Sequence, residues 1–181
     1  KSNIVKGLLN TLSAKSSETK AHTQRLKNLS KKFGKKLRLS NSELNKLSLL
    51  ATLHDIGKTS ISEEILNKTD DLTKEEWEIM KEHSETGYKI ALASNEFVLV
   101  AEKILSHHEN WDGSGYPRGL AGEEIPYLSR IISIIDAYDV MTHERPYSKA
   151  ISNEEALAEI DRFAGSQFDP ELAEEFIKLE K

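Results

Sequence analysis

An all-α fold is predicted for this 181-residue chain, from three observations. Apolar residues recur at three- and four-residue spacing along most of its length. Ser/Thr-x-x-Glu signatures at Ser40–Glu43, Thr73–Glu76 and Ser152–Glu155 each mark a helix start. Two-residue alternation is nowhere sustained for the length of a strand.

The elements follow in order. Val5, Leu8 and Leu12 form one stripe on a first helix, and a second begins near Ser16 or Ser17 with Glu18, His22, Leu26 and Leu29. Its basic end, KKFGKKLR, reads as solvated last turns, where cations favour the negative end of the helix dipole. Ser40 opens a helix carrying Leu44, Leu47, Leu50 and Ala51 on one face, which continues into His54. Thr73 opens another, through Trp77, Met80 and His83 to Gly87, and a further helix runs from about Asn95 to His108. The segment ENWDGSGYPRGLAGEEIP holds Gly113, Gly115, Gly119 and Gly122 with two prolines, and reads as the main loop. After Pro126 a very apolar helix carries Leu128, Ile131, Ile132, Ile135, Asp136, Asp139 and Val140, and Pro146 ends the pattern. Ser152 caps the next helix, and Asp169 with Pro170 starts the last.

Composition narrows the chemistry. Hydrophobic residues at 38% and charged residues at 30% describe one globular domain rather than a disordered chain. No apolar run reaches the roughly 18 residues of a membrane span, and no signal-peptide core is present, so direct membrane insertion is not expected. With no cysteine, any metal must sit on histidine and carboxylate, a ligand set that suits Fe, Mn or Zn. The net charge of −5 argues against a polymeric nucleic-acid partner, and a small anionic substrate would need the positive charge of bound metal. The absence of cysteine also fits a reducing cytoplasm, bacterial by the family likeness below.

Histidine is the most informative residue type. His54 and Asp55 end a helix on its apolar face, His83 continues the Met80 face, and His107 and His108 extend the face of Ile104. Asp136 falls four after Ile132, which places a carboxylate on an inner face. Each could be a satisfied core group; together they need a common partner, because buried carboxylates are costly unless paired or coordinated. Glu18 and His22 leave one face of a helix as an i, i+4 pair. His143 reads as a surface residue and Trp111 as a structural anchor.

The runs LHDIGKTSI, HSETGY, HHENWDGSGYPRGL, IIDAYDVMT and ERPY, with GSQFDP near the end, resemble the HD-GYP family in that order and at its spacings. The resemblance covers about Glu18 to Ile177. It implies an all-helical HD-superfamily domain at 16–181, with about seven helices around two or three divalent ions, Fe or Mn. By position, the implied ligands are Glu18, His22, His54, Asp55, His83, His107, His108 and Asp136, with Asp55 as the bridge. It further implies that Asp55 and Lys58 serve catalysis, and that Lys58, Tyr116, Asp139 and Arg145 bind substrate or support its binding. One departure is Ser148 after Tyr147, where many members carry a basic residue, so Lys149 is the candidate for the second basic contact.

The implied activity is hydrolysis of a cyclic dinucleotide, cyclic di-GMP first, to the linear dinucleotide, with GMP as the further product left open, in bacterial second-messenger signalling. Other nucleotides, a mixed-base cyclic dinucleotide and a low-turnover binding module are the alternatives. The chain begins at Lys rather than Met and is read as part of a longer protein. Residues 1–15 are then expected to be a linker helix from an upstream sensor domain, with a homodimer through it as one arrangement.

Overall fold

Helices account for the regular structure of the described residues, 2–16 and 20–181, in a computed structural model. They are α1 (Ser2–Lys15), α2 (Lys20–Lys36), α3 (Asn41–Leu53), α4 (Glu63–Leu66), α5 (Lys74–Lys81) and α6 (His83–Leu92). The chain continues through α7 (Val98–Leu105), α8 (Tyr127–Thr142), α9 (Asn153–Arg162) and α10 (Pro170–Glu180). Two 3-10 turns occupy Ile56–Ser60 and Gly122–Glu124, and strands are absent among the described residues apart from isolated bridges. No helix among them is long and apolar enough to cross a membrane.

The three Ser/Thr caps lie where expected. Ser40, Thr73 and Ser152 each accept from the backbone N–H three residues on, and Glu43, Glu76 and Glu155 return the bond. Asp169 caps α10, with Pro170 in its first turn.

Some boundaries differ from expectation. The helix expected from Thr73 to Gly87 is interrupted at Glu82, where the His83 ring takes the Met80 carbonyl through Nδ1 at 2.7 Å. That break and the single turn of α4 account for more helices than the seven or so expected. The helix expected to reach His108 ends at Leu105, so His107 and His108 lie in the turn beyond it.

The core lies between α2, α3, α7, α8 and α10 and is filled by Leu26, Phe33, Leu47, Leu50, Ile104, Ile131, Ile135 and Phe176, all fully buried. The Phe33 and Phe176 rings meet edge to face at 5.2 Å. Helix α1 joins this body rather than standing apart from it. Val5 and Leu12 are buried, and the Lys15 ammonium donates to the carbonyls of Thr59 and Ile61 at 3.0 and 3.2 Å.

Candidate metal centre

The local sequence explains how each polar side chain reaches one place. Gly57 lets the 3-10 turn after His54-Asp55 lie directly on α6: a Cβ there would come 1.8 Å from the His83 carbonyl oxygen and 2.6 Å from the Gly87 nitrogen. This contact presses Asp55 toward His83. On the other side, Ile104 and Ala101 anchor α7 in the core, and the turn after Leu105 turns His107 and His108 inward. Helix α8 carries Asp136 and Asp139 one turn apart beside α2.

Two groups of ligand-type atoms result, each lying within 4.8 Å of one another: Asp55, His83, His107 and His108 in one, and His22, His54 and Asp136 in the other. Asp55 stands between them. Its Oδ1 faces His83 Nε2 at 3.3 Å and His107 Nε2 at 3.6 Å, while its Oδ2 faces His54 Nε2 at 3.1 Å. Asp136 Oδ1 lies 3.4 Å from His22 Nε2 and 3.8 Å from His54 Nε2.

The histidine tautomers follow from their outer contacts. Nδ1 of His54, His83 and His107 faces the carbonyls of Ala51, Met80 and Ile104 at 3.1, 2.7 and 2.6 Å. A carbonyl only accepts, so Nδ1 carries the proton and Nε2 of a neutral ring keeps its lone pair. Nε2 of His83 and of His107 then face each other across 3.4 Å as two lone pairs, beside the Asp55 carboxylate. Such an arrangement is repulsive unless a cation sits among the three, and so the donor set fits divalent metal.

Electrostatics points the same way. Burial pushes His107 and His108 below the ordinary histidine range, and for His108 the neighbouring His107 and His83 deepen the shift. In the ion-free protein burial alone would raise the Asp55 carboxyl, but a protonated His54, in the place of a metal's charge, and Lys58 hold it well below the usual carboxylate range. Asp136 is likewise lowered, its burial outweighed by the hydrogen bond with His22 and the charge of His54. Neutral imidazoles and ionised carboxylates are the forms that ligate.

The other expected residues divide. Lys58 Nζ lies 3.0 Å from Asp55 Oδ2, at the edge of the cluster. The Tyr116 ring stacks on His108 at 5.0 Å and 19°, with Trp77 edge-on at 6.1 Å, and burial raises its phenol. A groove of about 520 Å³ opens beside it, lined by Glu78, Lys81, Glu82, Glu85, Lys89 and Pro117. Arg145 and Lys149 lie on or just after the turn that follows α8, closed by the Arg145 N–H to the Ser148 carbonyl at 2.9 Å. Glu18 lies outside the described residues.

Asp139 is 1% exposed and accepts from His22 Nδ1 at 2.7 Å and from Arg25 Nε at 2.7 Å. Burial would raise its carboxyl, yet the hydrogen bonds from His22 and Arg25 hold it at about 2. His143, expected on the surface, is partly exposed and also reaches Asp139 Oδ1 at 3.3 Å.

The sequence reading passed over two residues. Arg25 is one; the other is Glu109, buried at 3%, which accepts from the backbone N–H groups of Arg118 and Leu120 at 2.7 and 3.0 Å and so shapes the Tyr116 loop. Gly115 completes that loop, since a Cβ there would lie 2.5 Å from the His108 carbonyl.

Comparison with known proteins places this arrangement. The HD domain family model matches residues 7–172. The chain belongs to the HD domain family. Within the family its HD-x-GK and GYP motifs are of the HD-GYP type. A Thermotoga maritima cyclic di-GMP phosphodiesterase is 44% identical over 96% of this chain and 48% of its own length. A 3'3'-cGAMP-specific phosphodiesterase of Vibrio cholerae is 37% identical over 94% of this chain and 33% of its own length. The crystal structure of a cyclic GMP-AMP-specific phosphodiesterase from V. cholerae superposes with a TM-score of 0.69 at 26% identity, covering 95% of this chain and 48% of that one. The chain thus spans between a third and a half of these relatives' length. In this HD domain the buried His/Asp cluster points to divalent-metal binding.

Proposed function

We propose that this HD domain hydrolyses a cyclic dinucleotide, cyclic di-GMP first, to the linear dinucleotide or GMP. It would use two or three ions of Fe or Mn, held by His22, His54, Asp55, His83, His107, His108 and Asp136, with Glu18 completing the set. The observation that carries this reading is the Asp55 carboxylate, which turns one oxygen toward each histidine group. Paired ions supply a water of lowered pKa and charge neutralisation at the phosphoryl oxygens.

The chain's own residues do the rest. The three carbonyl-held rings keep Nε2 aimed at the centre before substrate arrives, so no reorientation is required during the reaction. Lys58, held at the cluster's edge by Asp55, donates to a non-bridging phosphoryl oxygen as negative charge develops. Tyr116, fixed on His108, presents its ring and hydroxyl to the substrate, and Arg145 with Lys149 provides cationic contact from the turn after α8. In the longer protein an upstream sensor domain would act through α1, in a dimer where that helix pairs.

A second reading is favoured by one finding: the relative at 37% identity is named for 3'3'-cGAMP, so a mixed-base cyclic dinucleotide is the other substrate to test. The deciding measurement is anaerobic turnover of both dinucleotides by protein loaded with Fe(II) or Mn(II), with products separated by chromatography beside His54→Ala and Asp55→Ala. The expected outcome is linear dinucleotide or GMP from the intact protein and none above background from either variant. Absence of product from both substrates, with metal content confirmed, would overturn the proposal.

A further inference from the structure

Four of the five histidines of the centre are oriented in two ways, while His108 stacks on Tyr116. His54, His83 and His107 are each held by a main-chain carbonyl three residues back, which moves only with its helix. His22 is held by a side chain from another helix, Asp139 of α8. Asp139 is gripped in turn by Arg25, which lies on α2 three residues after His22. The guanidinium places Nε on Oδ1 at 2.7 Å and Nη2 on Oδ2 at 2.9 Å, a two-pronged geometry that no other side chain reproduces. Among the described residues, neither Arg25 nor Asp139 contacts Asp55, His83, His107 or His108.

We propose that Arg25 is a positioning residue for the ion held by His22, His54 and Asp136, and for that ion alone. The proposal rests on the metal reading above and requires nothing of the substrate. Asp139 Oδ2 is shared by His22 Nδ1 and Arg25 Nη2, while Arg25 Nε and His143 occupy Oδ1. Removing the guanidinium frees the carboxylate to rotate, and the single position of the His22 ring, with Nε2 3.4 Å from Asp136, is lost with it. The other group keeps its carbonyl supports.

The test is Mn(II) binding by calorimetric titration and elemental analysis after dialysis, on the wild type, Arg25→Ala, Arg25→Lys and Asp139→Asn, with a thermal melt of each. The expected result is one class of Mn(II) site weakened about 10- to 100-fold, the span for an outer partner of a metal ligand, while the remaining class is unchanged. Arg25→Lys should recover part of the affinity, because it keeps the charge and loses the fork. Equal weakening of every class in a folded variant, or an isotherm identical to the wild type, would overturn the assignment. Should Arg25→Ala fail to fold, Arg25→Lys and Asp139→Asn carry the same comparison. A wild type that bound no Mn(II) would overturn the metal reading itself, a result distinct from variants that merely match a competent wild type.

Discussion

The floor of the site and its rim are built differently. The floor is carried by helices and their ends: His22 on α2, His54 closing α3, His83 opening α6, His107 and His108 just past α7, and Asp136 on α8. All are buried or nearly so, and their orientation is set by packing, by main-chain carbonyls and, for His22, by Asp139. The rim is carried by loops: Tyr116 on the glycine-rich segment, Arg145 and Lys149 around the turn after α8, with Trp77 half exposed beside Tyr116. Rigid elements thus hold the atoms that must keep fixed distances, while the loops hold what touches the variable part of a ligand. A change in the floor should therefore act through metal and stability, and a change in the rim through substrate affinity.

The largest effect that would test this division is at Gly57. Gly57→Ala places a methyl group against the His83 carbonyl, where only backbone can yield. A loss of about 3 kcal/mol or more is expected, at the top of the overpacking range, together with loss of bound Mn(II). Urea unfolding and metal content measure both, and an unperturbed metal content would show that the floor tolerates displacement. At the rim, Tyr116→Ala should raise KM about tenfold and leave kcat within about twofold, as expected when ground state and transition state lose the same contact. A matching fall in kcat at unchanged KM would move Tyr116 into the floor.

The effect furthest from substrate is on pH. Burial lowers His107 and His108, so in ion-free protein the unfolded chain takes up protons near pH 6.5 that the folded one refuses. Stability should then fall as pH drops below about 6.5, by at most about 1.4 kcal/mol per pH unit for each ring. The lowered Asp55, Asp136 and Asp139 act in a separate window: their contribution is complete above the usual aspartate range and is lost only in more acidic solution. Urea titrations of chelator-treated protein between about pH 7.5 and 5 give the slope, and a flat profile would mean that the two rings are not held neutral.

Local signals made much of this legible in the sequence. The starts of α3, α5, α9 and α10 could be read because a cap and its answering Glu, or Asp with Pro, lie within four residues. His54, Asp55, His83, His107, His108 and Asp136 were legible because polar residues on apolar helix faces stand out, and the HD-GYP likeness located them together. The break at Glu82 was not, because it depends on which carbonyl the His83 ring takes once folded. Arg25 and the true place of Asp139 were hidden for the same reason, their bond joining residues 114 apart in the chain. Glu109 carries no local signal, because its partners are backbone N–H groups of the loop that folds over it.

That long-range bond also orders events during synthesis. His22 emerges from the ribosome well before Asp136 and Asp139, which follow only with α8. A nascent polypeptide ending before α8 holds Asp55, His83, His107 and His108 but lacks the carboxylates that face His22. A translation product broken off there has no second half to its centre. The docking of α8 on α2 brings the two carboxylates to His22 before α10 closes the core with Phe176.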